Sequence, residues 1–422
     1  MRHAAPASCL LPPAACRSRH GGLFPLLGPA LPDRVDGGQF LQHRRVAGDA
    51  GGQVAVQQQA ALETGDEAGT YDLVIEVRAA PRTTITADLD NQGSSSTGRY
   101  RAGVQGRVNS PLGIGDNLDL RLLNSFGKGL LFGRLSYERP LGASGLRATV
   151  AAGHIQYQLG SDFSALDAHG SADLVELSAS YPLVRSRLHN LFGKVSVEYK
   201  RLNDHIDAVA LDSTKYVANL DLGMVYERRD QWFGGGFVSG GFDLYRGHLD
   251  IRSGTERTLD QDATGRNTNG SYLRMTWQAS RLQAVTRALS AYVAVAGQWA
   301  NSNLDSADKI ATGGSRAVRA FSSSTGIGDE AQIVNGELRW SVVADTTVSA
   351  FYDLGRVRVN HRPMATDVNR ITLSGAGFGL FSVITPGTNL RASVAWPMVQ
   401  AGMPAASRER GPRVFGQLVK AF

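Results

Sequence analysis

The stretch "YRAGVQGRVNSPLGIGDNLDLRL" (residues 100–122) contains two runs with a period of two, joined by a short polar segment. Successive side chains of a β-strand point to opposite faces, so such alternation is typical of a strand with one apolar face. The segment "PLGIGD" (111–116) has the proline and glycines of a tight turn. The stretch predicts an antiparallel hairpin whose apolar face carries Ala102, Val104, Leu118, Leu120 and Leu122 and whose polar face carries Arg101, Gln105, Arg107, Asp119 and Arg121.

The same alternation continues from Thr83 to the end of the chain. Further examples are Ile85, Ala87 and Leu89 against Asp88 and Asp90; Leu135 and Tyr137 against Arg134 and Glu138; Val195, Val197 and Tyr199 against Glu198 and Lys200; and Leu338, Trp340 and Val342 against Glu337, Arg339 and Ser341. Counting such segments gives about sixteen strands of roughly 9 to 14 residues, long enough to cross a bilayer when tilted. The sequence predicts an all-β chain.

A soluble sandwich and a membrane barrel both alternate, and a slightly negative mean hydropathy fits either. No apolar run of about 18 residues occurs, which argues against helical membrane spans. Two features favour the barrel. Short connections (111–116, 140–145, 228–233, 344–347 and 386–389) alternate with long polar ones (161–170, 204–213, 247–269, 302–333, 357–369 and 400–411), and the last residue, Phe422, is aromatic. An even strand count places both barrel ends on the periplasmic side, with the long connections outside.

Composition and motifs predict no catalytic residues, metal site, cofactor or nucleic-acid partner. The 44 basic and 38 acidic residues are dispersed, and the nine histidines form no spaced ligand set. Cys9 and Cys16 lie outside the alternating region. "FGGGFVSGGFD" (233–243) lacks the Gly-Lys-Ser/Thr of a phosphate-binding loop. An outer-membrane protease or acyl hydrolase stays open, because catalytic triads need not be local in sequence.

The N-terminal part differs from the rest. Residues 1 to about 60 show no helical or strand periodicity, and Pro12 and Pro13 interrupt the apolar centre that a signal peptide would need. The predicted organisation is an unassigned, poorly structured segment at 1–45, a partial domain at 46–82 that ends on the strand-like "YDLVIEV", and a transmembrane barrel at 83–422.

One connection carries an unusual segment. "VRAF" (318–321) lies within 302–333 and places Arg319 among apolar residues, which predicts a loop folded into the barrel lumen. A partly desolvated guanidinium needs a carboxylate partner. The next strand, "SAFYDLGRV" (349–357), offers Asp353 on the same face as Phe351 and Gly355.

These two segments resemble the Val-Arg-Gly-Tyr/Phe and Phe-x-Asp-x-Gly motifs of the two-partner secretion (TpsB) transporters, the haemolysin secretion/activation family. Ala320 and Ala331 stand where that family has glycine. Supporting similarities cover about 340 residues and include 90–103, 109–118, 136–145, 181–191, 328–340 and Phe422. Residues 64–77 resemble the end of the second polypeptide-transport-associated (POTRA) domain. The chain is identified as a family member with a shortened or altered N-terminal part.

The resemblance implies a sixteen-stranded antiparallel barrel in the outer membrane of a Gram-negative bacterium, with an inward-folded extracellular loop and a POTRA remnant. It implies nucleotide-independent export of a large β-helical adhesin or haemolysin, a TpsA-type client. Arg319 and Asp353 would lock the loop to the wall, with Val318, Phe321, Phe351 and Gly355 around them, and Phe422 would serve membrane assembly. Expected partners are outer-membrane lipid, lipopolysaccharide and the barrel-assembly machinery, with the chain itself a monomer. A general diffusion porin, or a protein-inserting barrel of the same superfamily, is the alternative.

Overall fold

The structure is a computed structural model. It describes the backbone strands 40–42, 56–64 and 71–79, and it describes residues 81–127, 129–363 and 368–422. Apart from 40–42, the segment 1–45 lies outside the described residues, as do 46–55, 65–70 and 80 of the partial domain predicted at 46–82.

In the described part of the chain, three strands precede the barrel. They are β1 (Phe40–Gln42), β2 (Val56–Thr64) and β3 (Tyr71–Ala79), and they form an antiparallel sheet in the order β1-β2-β3. Strand β3 coincides with the predicted strand "YDLVIEV", whereas β1 and part of β2 lie where the sequence showed no periodicity. The assignment of this sheet to a POTRA domain stays a prediction.

Sixteen strands form a closed antiparallel barrel. They are β4 (Thr83–Asp90), β5 (Arg101–Asn109), β6 (Asn117–Ser125), β7 (Leu130–Pro140), β8 (Arg147–Gln158), β9 (Ala168–Arg185), β10 (His189–Ile206), β11 (Leu211–Asp230), β12 (Gly236–Ile251), β13 (Gly270–Ala284), β14 (Leu289–Ala300), β17 (Glu330–Val343), β18 (Thr346–Arg358), β19 (Arg370–Thr385), β20 (Thr388–Ala401) and β21 (Arg413–Ala421). The short pair β15 (Ile310–Ala311) and β16 (Ile327–Gly328) lies between β14 and β17.

The barrel closes where β21 pairs with β4. The register runs from Gln417 opposite Asp90 to Ala421 opposite Thr86, and the Phe422 amide donates to the Ile85 carbonyl at 2.9 Å. The predicted sixteen-stranded all-β barrel is confirmed. Within residues 81–127, 129–363 and 368–422, the connections contain one α-helix, α1 (Gly254–Gln261), and five 3-10 turns (Ser161–Leu166, Asp207–Val209, Trp232–Gly234, Ser306–Asp308 and Ala405–Ser407). Among the described residues, no helix has the length and apolarity needed to cross a membrane.

The two faces of the wall differ as the alternation predicted. Large apolar side chains such as Leu120 and Val197 point outward and are exposed. Charged side chains line the lumen, where opposite charges pair between strands: Arg134 with Glu176 at 3.0 Å, and Lys194 with Asp221 at 3.3 Å. Apolar surface therefore faces the lipid, and the wall of the lumen is polar.

The connections differ between the two ends of the barrel. At the turn end, where β4 begins and β21 ends, short turns such as 344–345 join the strands; at the loop end lie long connections such as 252–269 and 301–329. The prediction of a long loop at 204–213 is wrong, because β10 and β11 pair until Ile206 faces Leu211 and only Asp207–Val209 and Ala210 turn the chain. The strands continue through the largely polar segments 204–206 and 211–213. Polar side chains are compatible with strands at this level, because the outer surface beyond the apolar band is in contact with water.

A charge on the apolar outer face tests this arrangement. Leu120→Arg should lower the free energy of unfolding in lipid vesicles by about 2 to 4 kcal/mol, because the guanidinium meets hydrocarbon. Leu112→Arg is the matched control, since Leu112 is 69% exposed in the turn between β5 and β6. Denaturant titration followed by tryptophan fluorescence measures both, and equal losses would contradict the proposed lipid-facing surface.

Candidate functional site

Residues 301–329, hereafter the lumenal loop, fold back inside the barrel. Strands β15 and β16 form a small hairpin in which the Thr312 amide donates to the Gly326 carbonyl at 2.9 Å. Beyond this hairpin the chain curls, and the Val318 amide donates to the Thr312 carbonyl at 2.9 Å. Gly326 has a φ of +61°, a conformation that glycine adopts without strain. This curl presents residues 318–321, the loop tip, to the wall.

The loop tip binds the wall through Arg319 and Asp353. The guanidinium of Arg319 donates to both carboxylate oxygens of Asp353, with Nε 2.8 Å from Oδ2 and a terminal nitrogen 2.7 Å from Oδ1. The Arg319 backbone amide adds a third bond to Oδ2 at 3.1 Å. Asp353 is fully buried, and the Asn335 side-chain amide donates to its Oδ1 at 2.7 Å while also reaching the Ala317 carbonyl at 2.8 Å. Such a bidentate, charge-assisted contact fixes orientation as well as position.

Two further groups compensate the Arg319 charge. Glu337 on β17 accepts from Arg319 at 2.5 Å and from Arg339 at 2.7 Å, and the Phe351 ring lies below the guanidinium, 3.4 Å from its central carbon. Burial disfavours the charged form of Arg319, but the bonds to Asp353 and Glu337 outweigh it and raise its pKa above the usual range. The guanidinium thus has a partner on both β17 and β18.

Glycines make room for the loop tip. A Cβ at Gly355 would lie 2.9 Å from Val318 Cγ2, and a Cβ at Gly377 would lie 2.7 Å from the tip of the Phe351 ring. Both distances are shorter than a carbon–carbon contact allows. Gly355 therefore admits Val318, and Gly377 admits the ring that supports Arg319.

The two alanines that differ from the family motifs are both accommodated. The Ala320 methyl lies against Gly375 on β19, where a Cβ would come within 2.5 Å of it. Ala331 is buried in an apolar cluster with Ile310, Ile333 and Val357. In this chain Gly375 supplies the space that the Ala320 methyl needs.

The beginning of the lumenal loop, at the loop end, contacts a different part of the wall. Asp308 lies 3.3 Å from Lys200 on β10 and accepts a short hydrogen bond from the Tyr272 hydroxyl on β13. Asp305 lies 3.0 Å from Lys215 on β11. We call Asp305, Asp308, Lys200, Lys215, Arg274 and Tyr272 the base cluster. Leu304 and Ala307 add apolar contacts to the buried cluster beside it.

Electrostatics favour the ionised form of Asp308. Burial disfavours its charge, but the positive charges of Lys200 and Arg274 outweigh that effect and lower its pKa from 3.8 to about 2. The end of the loop is joined to its beginning: Asp329 is fully buried, lies 2.7 Å from Lys309 and accepts from the Leu304 amide at 3.1 Å. The loop is thus fixed at its tip and at its base.

The structure brings together the predicted loop and wall residues. Val318 and Phe321 are fully buried with Leu373 in one apolar cluster, and Phe351 belongs to the same cluster. Sequence reasoning placed Glu337 on the inner face but gave it no role, and it did not identify Asn335, Gly375 or the base cluster. Their partners are distant in sequence, as for Lys200 and Asp308, which are separated by 108 residues.

Fold and loop together define a class of Gram-negative outer-membrane barrels, those whose extracellular loop is held inside the lumen. The chain belongs to the haemolysin secretion/activation family: the family described as haemolysin secretion/activation protein ShlB/FhaC/HecB matches residues 69–381. This confirms the predicted family and the outer-membrane location. Because outer-membrane barrels have short periplasmic turns and longer extracellular loops, we assign the turn end to the periplasm and the loop end to the cell exterior.

Two relatives are consistent with this family assignment. The chain is 26% identical over 347 residues to the heme/hemopexin transporter protein HuxB of Haemophilus influenzae (strain 86-028NP), covering 80% of this chain and 60% of HuxB. It is 25% identical over 318 residues to the hemolysin transporter protein ShlB of Serratia marcescens, covering 73% of this chain and 53% of ShlB. The chain therefore spans less than two thirds of these relatives.

Solved structures agree on the fold. CdiB from Escherichia coli superposes with a TM-score of 0.69 at 20% identity, covering 87% of this chain and 68% of that chain. BamA from Haemophilus ducreyi lacking POTRA domains 1–3 gives a TM-score of 0.55 at 12% identity, covering 87% and 75%. Both share the barrel architecture.

Filling the space beside Ala320 should release the loop tip. In Gly375→Ala the new methyl would overlap Ala320, so we expect faster trypsin cleavage after Arg316 and Arg319 in the detergent-solubilised barrel. Adding Ala320→Gly removes the overlap and should restore most of the resistance. Gly416→Ala is the control, because an added Cβ there meets nothing within 4 Å. Equal cleavage of all variants would contradict this packing.

The base cluster should respond to acid. Because folding lowers the pKa of Asp308 from 3.8 to about 2, its ion pairs stabilise the loop fully above pH 4 and are lost as the pH falls toward 2. Single-channel conductance should therefore rise in that interval. Asp308→Asn should show raised conductance at neutral pH and a smaller acid response, while the exposed-loop control Asp262→Asn behaves as the unmodified chain. An unchanged acid profile in Asp308→Asn would refute this role.

Proposed function

We propose that this chain is the barrel of a two-partner secretion transporter that exports a TpsA-type protein across the outer membrane. The observation that carries the proposal is the lumenal loop, held to the wall by Arg319, Asp353 and Glu337. A loop placed in the transport path has to be positioned reproducibly, and a largely desolvated guanidinium with two carboxylate partners does this.

The lumen wall suits passage of an unfolded chain. Charges on it are paired across strands, as in Arg134 of β7 with Glu176 of β9 and Lys194 of β10 with Asp221 of β11, and a paired charge attracts a passing segment less than a free one does. Transport in this proposal involves no catalysis on the client and no nucleotide. The free energy for export would come from folding of the client outside the cell.

The finer partners belong to the same proposal. Outer-membrane lipid and lipopolysaccharide would cover the apolar outer face, and the barrel-assembly machinery would insert the chain through its terminal strand and Phe422. The sheet β1-β2-β3 would be part of a POTRA domain that meets the client. The barrel would act as a monomer, and its function is that of a transporter and not of an enzyme.

The proposed lock can be tested by secretion. Arg319→Ala and Asp353→Ala should each lower secretion of a co-expressed TpsA-type client severely, since removing one partner of a buried ion pair costs about 3 to 5 kcal/mol. The control is Arg316→Ala, which removes an exposed arginine of the same loop. Immunoblots of the medium measure export, and heat-modifiable gel mobility shows that each barrel is folded.

Normal export by both folded variants would refute the lock. A general diffusion porin gives a different result, because its channels would conduct steadily and ignore any client. Planar-bilayer recordings with and without the client's secretion domain therefore separate the two functions.

A further inference from the structure

Two histidines form a registered pair on the outer surface of the barrel. His169 on β9 lies directly opposite His205 on β10, and their rings stack with centroids 5.1 Å apart and planes inclined by 19°. The adjacent residues Ala168 and Ile206 point into the lumen and are buried, so the two imidazoles face outward. This pair lies at the loop end, in the segment where the sequence had predicted a loop.

Two carboxylates meet His169 there. Asp167 precedes β9 and Asp207 follows β10, and the carboxylate oxygens of both lie with a ring nitrogen of His169 inside one group whose atoms are all within 4.8 Å of one another. Both aspartates are exposed and His169 is half-buried. Three ligand atoms of two chemical types thus converge where ions from the medium can reach them.

The hydrogen bond of His169 leaves one of its ring nitrogens available to a metal ion. Its Nδ1 lies 3.3 Å from the Asp167 carbonyl oxygen, which can only accept, so Nδ1 carries the proton in that bond and Nε2 keeps its lone pair. His205 has the same arrangement, with Nδ1 2.6 Å from Asp212 Oδ1. Histidines that bind metals commonly donate their other ring N–H to a carbonyl or carboxylate in this way.

We propose that Asp167, His169 and Asp207 form a binding site for a divalent transition-metal ion such as Zn²⁺. One imidazole and two carboxylates match the nitrogen and oxygen ligands of Zn²⁺, with water in the remaining position, whereas Ca²⁺ and Mg²⁺ prefer oxygen alone. The stacked His205 holds the ring of His169 in place. A bound ion would join the connection before β9 to the turn after β10.

The surroundings place this site in water. Toward the membrane, Asp173 on β9 and Asn203 on β10 follow on the outer surface, and the exposed apolar residues Val175 and Val197 begin beyond them. The site therefore lies outside the apolar band, on the extracellular rim. Its function does not depend on the proposed export of a client.

Metal binding to the purified full chain is the test. After chelator treatment in detergent micelles, calorimetric titration with Zn²⁺ should show one site per chain, and Mg²⁺ should give no comparable signal. Co²⁺ should give a visible absorption band of inner-sphere coordination. His169→Asn and Asp207→Asn should each weaken Zn²⁺ binding by at least about tenfold and remove the Co²⁺ band.

The control variant is His154→Asn. His154 is another outward histidine of the same sheet, paired with Asp173 at 2.6 Å, and it is outside the proposed ligand set. We expect its Zn²⁺ affinity to equal that of the unmodified chain. The proposal is overturned if the unmodified chain binds no Zn²⁺, if His169→Asn retains full affinity, or if His154→Asn loses affinity equally. Heat-modifiable mobility confirms that each variant is folded.

Discussion

The guanidinium of Arg319, whose side chain is 12% exposed, is the group on which the arrangement of the lumenal loop depends. Removing a charge from water costs several kcal/mol unless nearby groups compensate it. Asp353, Glu337 and the Phe351 ring provide that compensation, and all three belong to strands of the wall. The position of the loop and the compensation of its charge therefore depend on each other. Arg319 makes these contacts only where β17 and β18 hold the side chains of Glu337, Phe351 and Asp353.

The same requirement shapes the rest of the lumen. Asp305 and Asp308 at the base of the loop face lysines of β10 and β11, several strands away from Asp353 on β18. Apolar contacts accompany the ion pairs at both places. Among the described residues, the chain thus combines a polar wall that carries cross-strand ion pairs with three apolar cores, and each core includes residues of the loop.

The fold could be predicted from the sequence because the alternation of apolar and polar residues shows directly which face of the wall each side chain occupies. The adjacent residues Glu337 and Leu338, for example, belong to the inner and the outer face. The contact of Arg319 with Asp353 followed from two short motifs and the cost of an unpaired charge. Gly375 could not be predicted, since its importance appears only when the register of β19 places it against Ala320. The pairing of His169 with His205 could not be predicted either. The polar strand ends at 204–213 have the composition of a loop, and only the register between β9 and β10 shows which residues are neighbours.

The two attachments of the loop have a mechanical consequence. A segment clamped at separated points of a ring acts as a strut, and it resists flattening of the ring as well as its own displacement. If the partners of an ion pair separate without reaching water, each charge is left unpaired and poorly solvated. Intermediate positions of the strut are therefore unfavourable. The aperture of this barrel should consequently change in discrete jumps and not by gradual widening.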